Sequence, residues 1–196
     1  MTPLQTDLFG APPLEPAGLR HAPALVDAME QADLVAAFAA LPFAPFEFHG
    51  WLGARRVVSF GWRYDFSRAR LDEAEPLPEF LRPLRERAAA FAGVAPADIA
   101  QTLVTEYQPG AGIGWHRDRP QYDKVIGVSF AASCRLRFRR KGVGGWERRH
   151  VDLAPGSAYL LDGPARRDWE HSIAPMTALR YSVTFRTLAH AAPARR

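Results

Sequence analysis

The sequence predicts an α+β fold that is mainly β: an antiparallel two-sheet barrel or jelly roll, with N-terminal helices packed on one sheet. Two observations predict it. Apolar residues recur at helical spacing only in the first half of the chain, and from Ile99 onward short alternating segments are separated by glycine and proline turns. The expected strands are Ile99–Tyr107, Lys124–Phe130, Ser133–Arg139, Glu147–Asp152, Ser157–Leu161, Glu170–Ile173 and Leu179–Leu188.

The chain of 196 residues is long enough for one domain with its own core. We expect a flexible arm over residues 1–23, which are rich in proline and alanine, and a single domain over residues 24–196 whose barrel covers about residues 99–190. The N-terminus lacks the pattern of a signal peptide, and the lone Cys134 excludes an internal disulfide. No apolar run approaches the roughly 18 residues of a membrane span. These observations predict a cytoplasmic protein without a membrane partner, and we expect a monomer.

Two amphipathic helices are predicted before the strands. The first begins at Asp27, which forms an N-cap pair with Glu30, and ends before Pro42. The second ends at Gly93 as a C-terminal cap, and Pro83 either delays its start or kinks it. Their apolar faces are Leu34, Val35, Phe38 and Leu41 in the first helix, and Phe80, Leu81, Leu84, Ala88 and Phe91 in the second.

Aromatic residues crowd over about residues 43–75, and arginines are interleaved with them. Aromatic rings stack on nucleobases and guanidinium groups bind phosphates, so the segment could form a lid that grips a nucleotide. The alternative is a twisted β-segment whose aromatic side chains pack in the core, which is the more frequent arrangement for such a composition. Only a position beside an active site would favour the lid.

A His-x-Asp pair, His116 and Asp118, closely follows the glycine-rich segment Pro109–Gly112. On a strand the two side chains would lie on one face, because side chains alternate with a period of two. The glycines let the backbone turn sharply before the pair. Chance gives roughly 0.6 such pairs in a chain of this composition. The chain holds a second pair, His150 and Asp152, after an arginine- and lysine-rich hairpin, and we expect both of these side chains to face solvent.

A third metal ligand must come from a distant strand, because the facial triad of non-haem Fe(II) consists of two histidines and one carboxylate. His171 is the best candidate, since it lies in a short predicted strand 53 positions after Asp118. His21 and His190 lie in the tails, and His49 lies in the aromatic segment. An isolated histidine is more often a hydrogen-bonded structural residue, and for His171 that alternative stays open at this point.

The last predicted strand alternates strictly between polar and apolar residues. In an ordinary sheet its polar face would meet solvent. In a barrel with a polar centre, its two arginines would instead lie inside and bind the carboxylates of a small diacid. The polar face consists of Arg180, Ser182, Thr184 and Arg186, and the apolar face of Tyr181, Val183 and Phe185.

Four motifs follow one another in a specific order. They are Tyr107-Gln108-Pro109-Gly110-Ala111, Trp115-His116-Arg117-Asp118, the distal His171, and Arg180-Tyr181-Ser182-Val183-Thr184-Phe185-Arg186. The set resembles the AlkB family of Fe(II)/2-oxoglutarate dioxygenases, over about Arg55 to Arg186. The resemblance implies a double-stranded β-helix that uses Fe(II), 2-oxoglutarate and O2. It implies His116, Asp118 and His171 as iron ligands, Tyr107, Arg180 and Arg186 as 2-oxoglutarate contacts, and Thr105 and Ser182 beside them where the family often has asparagine.

The resemblance also implies a reaction, the oxidative removal of N-alkyl groups from nucleobases in DNA, preferably single-stranded, or in RNA. Its products are the free base, an aldehyde, succinate and CO2. Family members that repair cationic methylated bases commonly carry an acidic residue just past the metal-binding aspartate, where this chain has Arg119 and Pro120. Asp123 could supply that carboxylate from a nearby turn. Substrate contacts are expected from Phe60, Trp62, Tyr64 and Arg119.

Positive charge is concentrated between Arg135 and Arg149, where seven basic residues stand against Glu147, whereas the whole chain has a net charge of +4. A hairpin of this charge could follow a nucleic-acid backbone. An outer strand whose charges face solvent and prevent edge pairing explains the hairpin equally well. For the net charge of the whole chain, a generally basic proteome is a slightly better explanation than a polyanionic partner. The expected backbone contacts are Arg137, Arg139, Arg140 and Lys141.

Two other functions are compatible with the sequence. The oxygenase could hydroxylate a protein side chain or a small molecule instead of a base. Alternatively, the barrel could be a nucleic-acid-binding module whose metal site is vestigial. Succinate formation stimulated by a methylated oligonucleotide would favour dealkylation over both.

Overall fold

The structure, a computed structural model, describes residues 15–48, 51–65 and 70–189. Parts of the predicted arm (residues 1–14) and of the predicted lid (residues 49–50 and 66–69) lie outside the described residues, as do His49 and His190. Within the described residues there are twelve strands and three α-helices. The strands are β1 (Leu19–Ala22), β2 (Ala44–Phe48), β3 (Trp51–Asp65), β4 (Arg70–Glu73), β5 (Ile99–Tyr107), β6 (Ile113–His116), β7 (Tyr122–Phe130), β8 (Cys134–Gly142), β9 (Gly145–Leu153), β10 (Ala158–Leu161), β11 (Glu170–Ile173) and β12 (Arg180–Leu188). The helices are α1 (Ala28–Ala39), α2 (Arg82–Ala92) and α3 (Gly163–Arg167).

Two antiparallel sheets form the barrel. In the larger sheet the strands lie in the order β1-β10-β7-β12-β5-β3-β2, with β4 paired to β3, and in the smaller sheet in the order β6-β11-β8-β9. From β5 to β12 the chain passes back and forth between the two sheets, with β8 and β9 joined as a hairpin. This topology confirms the predicted mainly β jelly roll.

The two longer helices pack on the outer face of the larger sheet, as predicted. The Asp27 side chain caps α1 by accepting a hydrogen bond of 2.9 Å from the Glu30 amide. Pro83 lies in the first turn of α2, so the helix begins there without a kink, and Gly93 caps its end with a φ of 67°. Both helices share a core with the apolar face of β12, which consists of Tyr181, Val183 and Phe185.

A second apolar cluster lies between the two sheets, beside a cavity of about 2040 Å³. The polar face of β12 lines this cavity. β5 and β7 pair with the two edges of β12. Its two faces are covered by the helix-side core and by the barrel interior. The alternation in the last strand therefore marks the barrel interior.

The aromatic segment folds as strands β2, β3 and β4, which extend the larger sheet beside the cavity. Its two sides differ. Phe60 packs in the helix-side core, whereas Phe46, Arg63 and Tyr64 line the cavity. One side of these strands therefore packs in the core, and the other faces the cavity.

Three elements differ from expectation. Residues 19–22, assigned to a flexible arm, form β1 and pair with β10, because the edge of the larger sheet supplies hydrogen bonds that composition cannot reveal. Between the predicted strands Ser157–Leu161 and Glu170–Ile173, where a turn containing Gly163 and Pro164 was expected, the chain forms the short helix α3. The Asp162 side chain caps it by accepting a hydrogen bond of 2.7 Å from the Gly163 amide. β6 is a separate strand that ends at His116, so Asp118 lies beyond it and not on the same strand.

No helix in the described part of the chain is long and apolar enough to cross a membrane.

Candidate metal and co-substrate site

The glycine-rich turn ties β6 to the segment that follows β11. The Gly110 amide donates to the Met176 carbonyl at 2.7 Å, and the Met176 amide donates to the Ala111 carbonyl at 2.8 Å. A methyl group on Gly112 would lie 2.8 Å from the Ile173 carbonyl oxygen, so the two backbones approach as closely as only glycine permits. The turn therefore serves close packing of two segments as well as a change of direction.

Three side chains meet where these strands run together. The register of β6 and β11 sets His116 opposite His171, with their ring centroids 4.2 Å apart. Oδ2 of Asp118 lies 3.5 Å from Nε2 of His171. One ligand atom from each of the three residues lies within 4.8 Å of the others. Two imidazoles and one carboxylate form the donor set of the facial triad, so the residues fit a non-haem Fe(II) ion.

Hydrogen bonds orient two of the three side chains. His116 donates from Nδ1 to the Gly114 carbonyl at 2.9 Å, because a carbonyl can only accept, and this leaves Nε2 free to bind a metal. Arg186 donates to Oδ1 of Asp118 from Nε at 2.9 Å and lies 2.7 Å from it through Nη2. Oδ2 of Asp118 is thereby left on the side of His171.

Burial and local charges set the protonation states that a metal requires. Burial, and next the neighbouring His116, lower the pKa of His171 to about 3. Burial also lowers the pKa of His116, although the charge of Asp118 opposes this. Burial raises the pKa of Asp118, but Arg186 and the two histidines together outweigh it and hold that pKa well below its usual value. At neutral pH the site therefore offers two neutral imidazoles and one carboxylate.

Arg180 lies inside the barrel with an unpaired donor. It is 1% exposed, its Nε donates to Ser129 Oγ at 3.1 Å, and its Cζ lies 5.1 Å from the centre of the Tyr107 ring. Among the residues that the structure describes, its Nη1 is buried without a hydrogen-bond partner. Arg180 also lines the cavity, where a carboxylate ligand would pair with its buried charge. The site therefore fits one end of 2-oxoglutarate.

The inward faces of β5 and β12 line the same part of the cavity. Besides its bonds to Asp118, Arg186 donates from Nη1 to Oε1 of Gln101 at 2.9 Å. Sequence reasoning missed Gln101, although the period of two that joins Tyr107 to Thr105 also reaches position 101. The lining from these two strands consists of Gln101, Leu103, Thr105, Tyr107, Arg180, Ser182, Thr184 and Arg186.

The residues expected to contact a substrate divide between the cavity and the core. Tyr64 and Arg119 line the cavity, and the Cζ of Arg119 lies 5.1 Å from the centre of the Tyr64 ring. Phe60 is 6% exposed and packs in the helix-side core, which contradicts its expected substrate contact. Gly61, with a φ of 77°, interrupts the alternation of β3 directly after it. Trp62 does not line the cavity either.

Two arginines that were not among the expected site residues also border the cavity. Arg166 of α3 is 6% exposed and donates from Nη2 to the carbonyls of Arg119 at 2.6 Å and Tyr122 at 2.8 Å, so it holds the loop after the metal-binding pair. Arg55 of β3 lies over the Phe46 ring with 3.8 Å between its Cζ and the ring centre. Neither residue belongs to a sequence motif, because both depend on the way distant segments fold together.

The residues expected to contact a nucleic-acid backbone lie on both faces of the β8–β9 hairpin. Arg137, Arg139 and Lys141 alternate on the outer face. Arg140 lies on the opposite face and pairs with Glu147 at 2.9 Å, so it leaves the outer surface to the other three.

Comparisons with known proteins agree with this geometry. Residues 18–186 match the family model of the 2OG-Fe(II) oxygenase superfamily. An Arabidopsis thaliana protein named alkylated DNA repair protein ALKBH8 homolog is 30% identical over 182 residues, which cover 80% of this chain and 50% of that protein. A Xenopus tropicalis protein named tRNA (carboxymethyluridine(34)-5-O)-methyltransferase alkbh8 is 26% identical over 131 residues, which cover 62% of this chain and 20% of that protein. The chain thus matches half of the first relative and a smaller part of the second.

Solved structures share the fold. The structure of OsALKBH1 superposes with a TM-score of 0.64 at 16% identity, covering 87% of this chain and 98% of that one. A prolyl-4-hydroxylase from Pseudomonas putida superposes with a TM-score of 0.61 at 15% identity, covering 88% of this chain and 93% of that one. At these identities the likeness concerns the fold. The family match and the two-histidine, one-carboxylate cluster agree: the chain belongs to the 2OG-Fe(II) oxygenase superfamily, and its relatives support the resemblance of its motifs to AlkB dioxygenases.

Proposed function

We propose that the protein removes N-alkyl groups from nucleobases in single-stranded DNA or RNA. The observation that carries the proposal is the cavity of about 2040 Å³ that opens from the metal triad and is bordered by the Tyr64 ring beside the Arg119 guanidinium. Aromatic rings and guanidinium planes are the groups on which unstacked bases are held. The names of two relatives, an alkylated DNA repair protein homologue and a tRNA methyltransferase, support a nucleic-acid substrate.

The superfamily uses Fe(II), 2-oxoglutarate and O2. In the proposed reaction the triad would hold the iron, and the guanidinium group of Arg180 would bind one carboxylate of 2-oxoglutarate. Arg186, fixed beside Asp118, supplies positive charge for the other carboxylate. When bound, Fe(II), 2-oxoglutarate and O2 would supply the oxidant that hydroxylates the N-alkyl carbon, and 2-oxoglutarate would be converted to succinate and CO2. The hydroxyalkyl group then separates from the nitrogen as an aldehyde, and the nitrogen keeps the hydroxyl proton.

The target base must leave its stack to reach the metal, which favours a single-stranded or weakened substrate. Tyr64 offers a ring face to the base, and Arg119 lies beside that ring. Asp123 lines the same cavity and supplies the carboxylate that positions 119 and 120 lack. It accepts a hydrogen bond from the exocyclic amine of a methylated adenine or cytosine.

The proposal is tested with the iron-loaded protein, 2-oxoglutarate and oligonucleotides that each carry one N-alkylated base. DNA and RNA strands of one sequence are compared with their unmodified copies. We expect a modified strand to stimulate succinate formation and to lose the mass of its alkyl group, while the unmodified copy does neither.

Two outcomes contradict the proposal in different ways. If succinate formation rises only with a peptide or a small metabolite, the protein is an oxygenase but its substrate is not a nucleobase. Oligonucleotide binding without turnover, if it persists with a chelator and in His116→Ala, would reject the catalytic role and favour a binding module.

A further inference from the structure

A stack of aromatic and guanidinium groups lies on the smaller sheet outside the metal site. The Cζ of Arg139 lies 4.6 Å from the centre of the Trp115 ring and 4.4 Å from that of the Trp146 ring, so two indoles flank this cation. Arg137 also lies over Trp115, at 5.2 Å. Glu170 fixes Arg139 by accepting a hydrogen bond of 2.6 Å from its Nε. The indoles and cations therefore form one arranged group.

The strand register assigns this stack to the outer face of the smaller sheet. Residues that lie directly opposite on antiparallel strands point to the same face. Lys141 lies opposite Trp146, and Trp115 alternates with His116, whose side chain points inward to the metal site. On this outer face six cations stand against two acids. The register places Arg135, Arg137, Arg139, Lys141 and Arg148 there, against Asp152 and Glu170. The sixth, Arg117, follows β6 and lies 3.9 Å from Glu170 through its Nη1.

The groups at the far end of the stack are accessible. Trp146 is 44% exposed, and both Lys141 and Arg148 are exposed. Within the part of the chain that the structure describes, neither of these two cations has an acidic partner. Charge that protects the edge strand β9 against pairing would explain the cations, but not an exposed indole that lies over one of them. Rings beside cations are the means by which proteins hold single strands.

The stack begins at the cavity. Trp115 and Arg117 line the cavity, on either side of the metal-binding His116. From β6 the sheet continues through β11 and β8 to β9, three strand spacings of about 4.8 Å each, or about 14 Å. That distance corresponds to a few nucleotides at the rise of about 3.4 Å per base in a stacked strand. A chain that leaves the cavity across β6 would therefore reach Trp146 within a few nucleotides.

We propose that this outer face binds the single-stranded nucleic acid that flanks the base in the cavity. Trp146 stacks on a flanking base, and Lys141 and Arg148 bind phosphates. The inference rests on the proposed function, because it takes the bound chain to be the substrate strand. Ribose and deoxyribose strands share this chemistry, so both are tested.

Binding is measured by fluorescence anisotropy with a chelator present, so that no turnover occurs. The probes are unmodified DNA and RNA, each as a trinucleotide and as a strand of about 12 nucleotides, a length within the site sizes of single-strand-binding proteins. Trp146→Ala should raise the Kd of the longer strand at least about fivefold, the effect of losing one stacked base, and should leave the trinucleotide unchanged. Trp146→Phe should restore most of the affinity.

Charge is tested with matched reversals. Arg148→Glu should weaken binding of the longer strand and lower the slope of log Kd against log salt by about one phosphate contact. Arg82→Glu is the control, because Arg82 is also exposed but lies on α2, on the opposite side of the molecule. An unchanged Kd of the longer strand in Trp146→Ala overturns the proposal, as does an equal loss in the Arg82→Glu control. Turnover of a methylated trinucleotide by the unaltered protein tests the proposed function separately, so the two failures are distinguishable.

Discussion

At the scale of single residues, Arg180 is the most informative side chain in the cavity. It is fully buried, yet one of its donors has no partner among the described residues, and burying an unpaired donor on a cation is costly. We expect Arg180→Met to raise the KM for 2-oxoglutarate at least about tenfold, since a charged hydrogen bond contributes about 1.5–3 kcal/mol. Arg180→Lys keeps the charge but lacks the planar guanidinium group, so its KM should lie between those of the unaltered protein and of Arg180→Met. Uncoupled succinate formation at varied 2-oxoglutarate measures both, and an unchanged KM would assign the carboxylate elsewhere.

The second residue-scale prediction concerns His171. His171→Ala should abolish turnover and Mn(II) binding by calorimetry, because two ligands do not hold a facially bound ion as tightly as three. The chain supplies its own matched control in His150, which belongs to the other His-x-Asp pair and is exposed, as expected. His150→Ala should retain both metal binding and turnover. Retained Mn(II) binding in His171→Ala would remove that residue from the triad.

Asp123 carries the third residue-scale prediction. Asp123→Asn should lower turnover of strands with methylated adenine or cytosine about tenfold or more, because an amide accepts more weakly than a carboxylate. Uncoupled succinate formation should not change, since Asp123 is distinct from the groups assigned to iron and 2-oxoglutarate. Equal loss of both activities would show that Asp123 supports the site structurally.

The residues that sequence reasoning found and those that it missed differ in physical kind. His116, Asp118 and the arginines of β12 belong to short local patterns, and the period of two already implied a shared face. Phe60 was assigned to the wrong side because Gly61 interrupts the alternation of β3. Arg166 acts through carbonyls more than forty positions away, and no local pattern encodes such a contact.

At the scale of elements, the metal site depends on how closely β6 approaches the segment after β11. We expect Gly112→Ala to lower both the melting temperature and the affinity for Mn(II), because its methyl group would meet the backbone of Ile173 at 2.8 Å and of Pro175 at 2.9 Å. Gly114→Ala, two positions further along in β6, is the matched control, since a methyl group there meets nothing within 4 Å. Equal behaviour of the two variants would mean that the close approach does not position His116.

Helices and strands were likewise predictable only where the signal lies in the local sequence. The two longer helices were predictable because their caps, Asp27 and Gly93, lie next to their apolar periodicity. β1 and β6 were not predicted as strands; each is four residues long and pairs with a neighbouring strand, β1 with β10 and β6 with β11. Short strands of this kind are set by tertiary pairing, which a single sequence does not display.

At the scale of the whole molecule, the larger sheet separates two environments. Its helix side is an apolar core, and its inner side carries the arginines of β12 and the cavity. Glu106 is a polar exception on the helix side, where it joins three adjacent strands. It is 3% exposed, accepts a hydrogen bond of 2.7 Å from Arg56 of β3, and lies 3.3 Å from the Tyr181 hydroxyl of β12. The folded sheet therefore provides the hydrogen-bond donors that stabilise the charged form of this carboxylate.

This carboxylate makes stability depend on pH in a predictable direction. The hydrogen bond from Arg56 lowers the pKa of Glu106 below its ordinary value of 4.5, although burial opposes it. Because the folded protein then binds this proton less tightly than the unfolded chain, the stabilisation is complete above that ordinary value and is lost as the pH falls below it. Glu106→Gln should therefore lower the free energy of unfolding in urea more at about pH 7 than at about pH 4. Asp152→Asn removes the ion pair of Asp152 with Arg135, whose side chains are 65% and 57% exposed, and should have little effect at either pH because solvent screens it. A loss in Glu106→Gln that is the same at both values would mean that the contribution of Glu106 comes from packing and not from its charge.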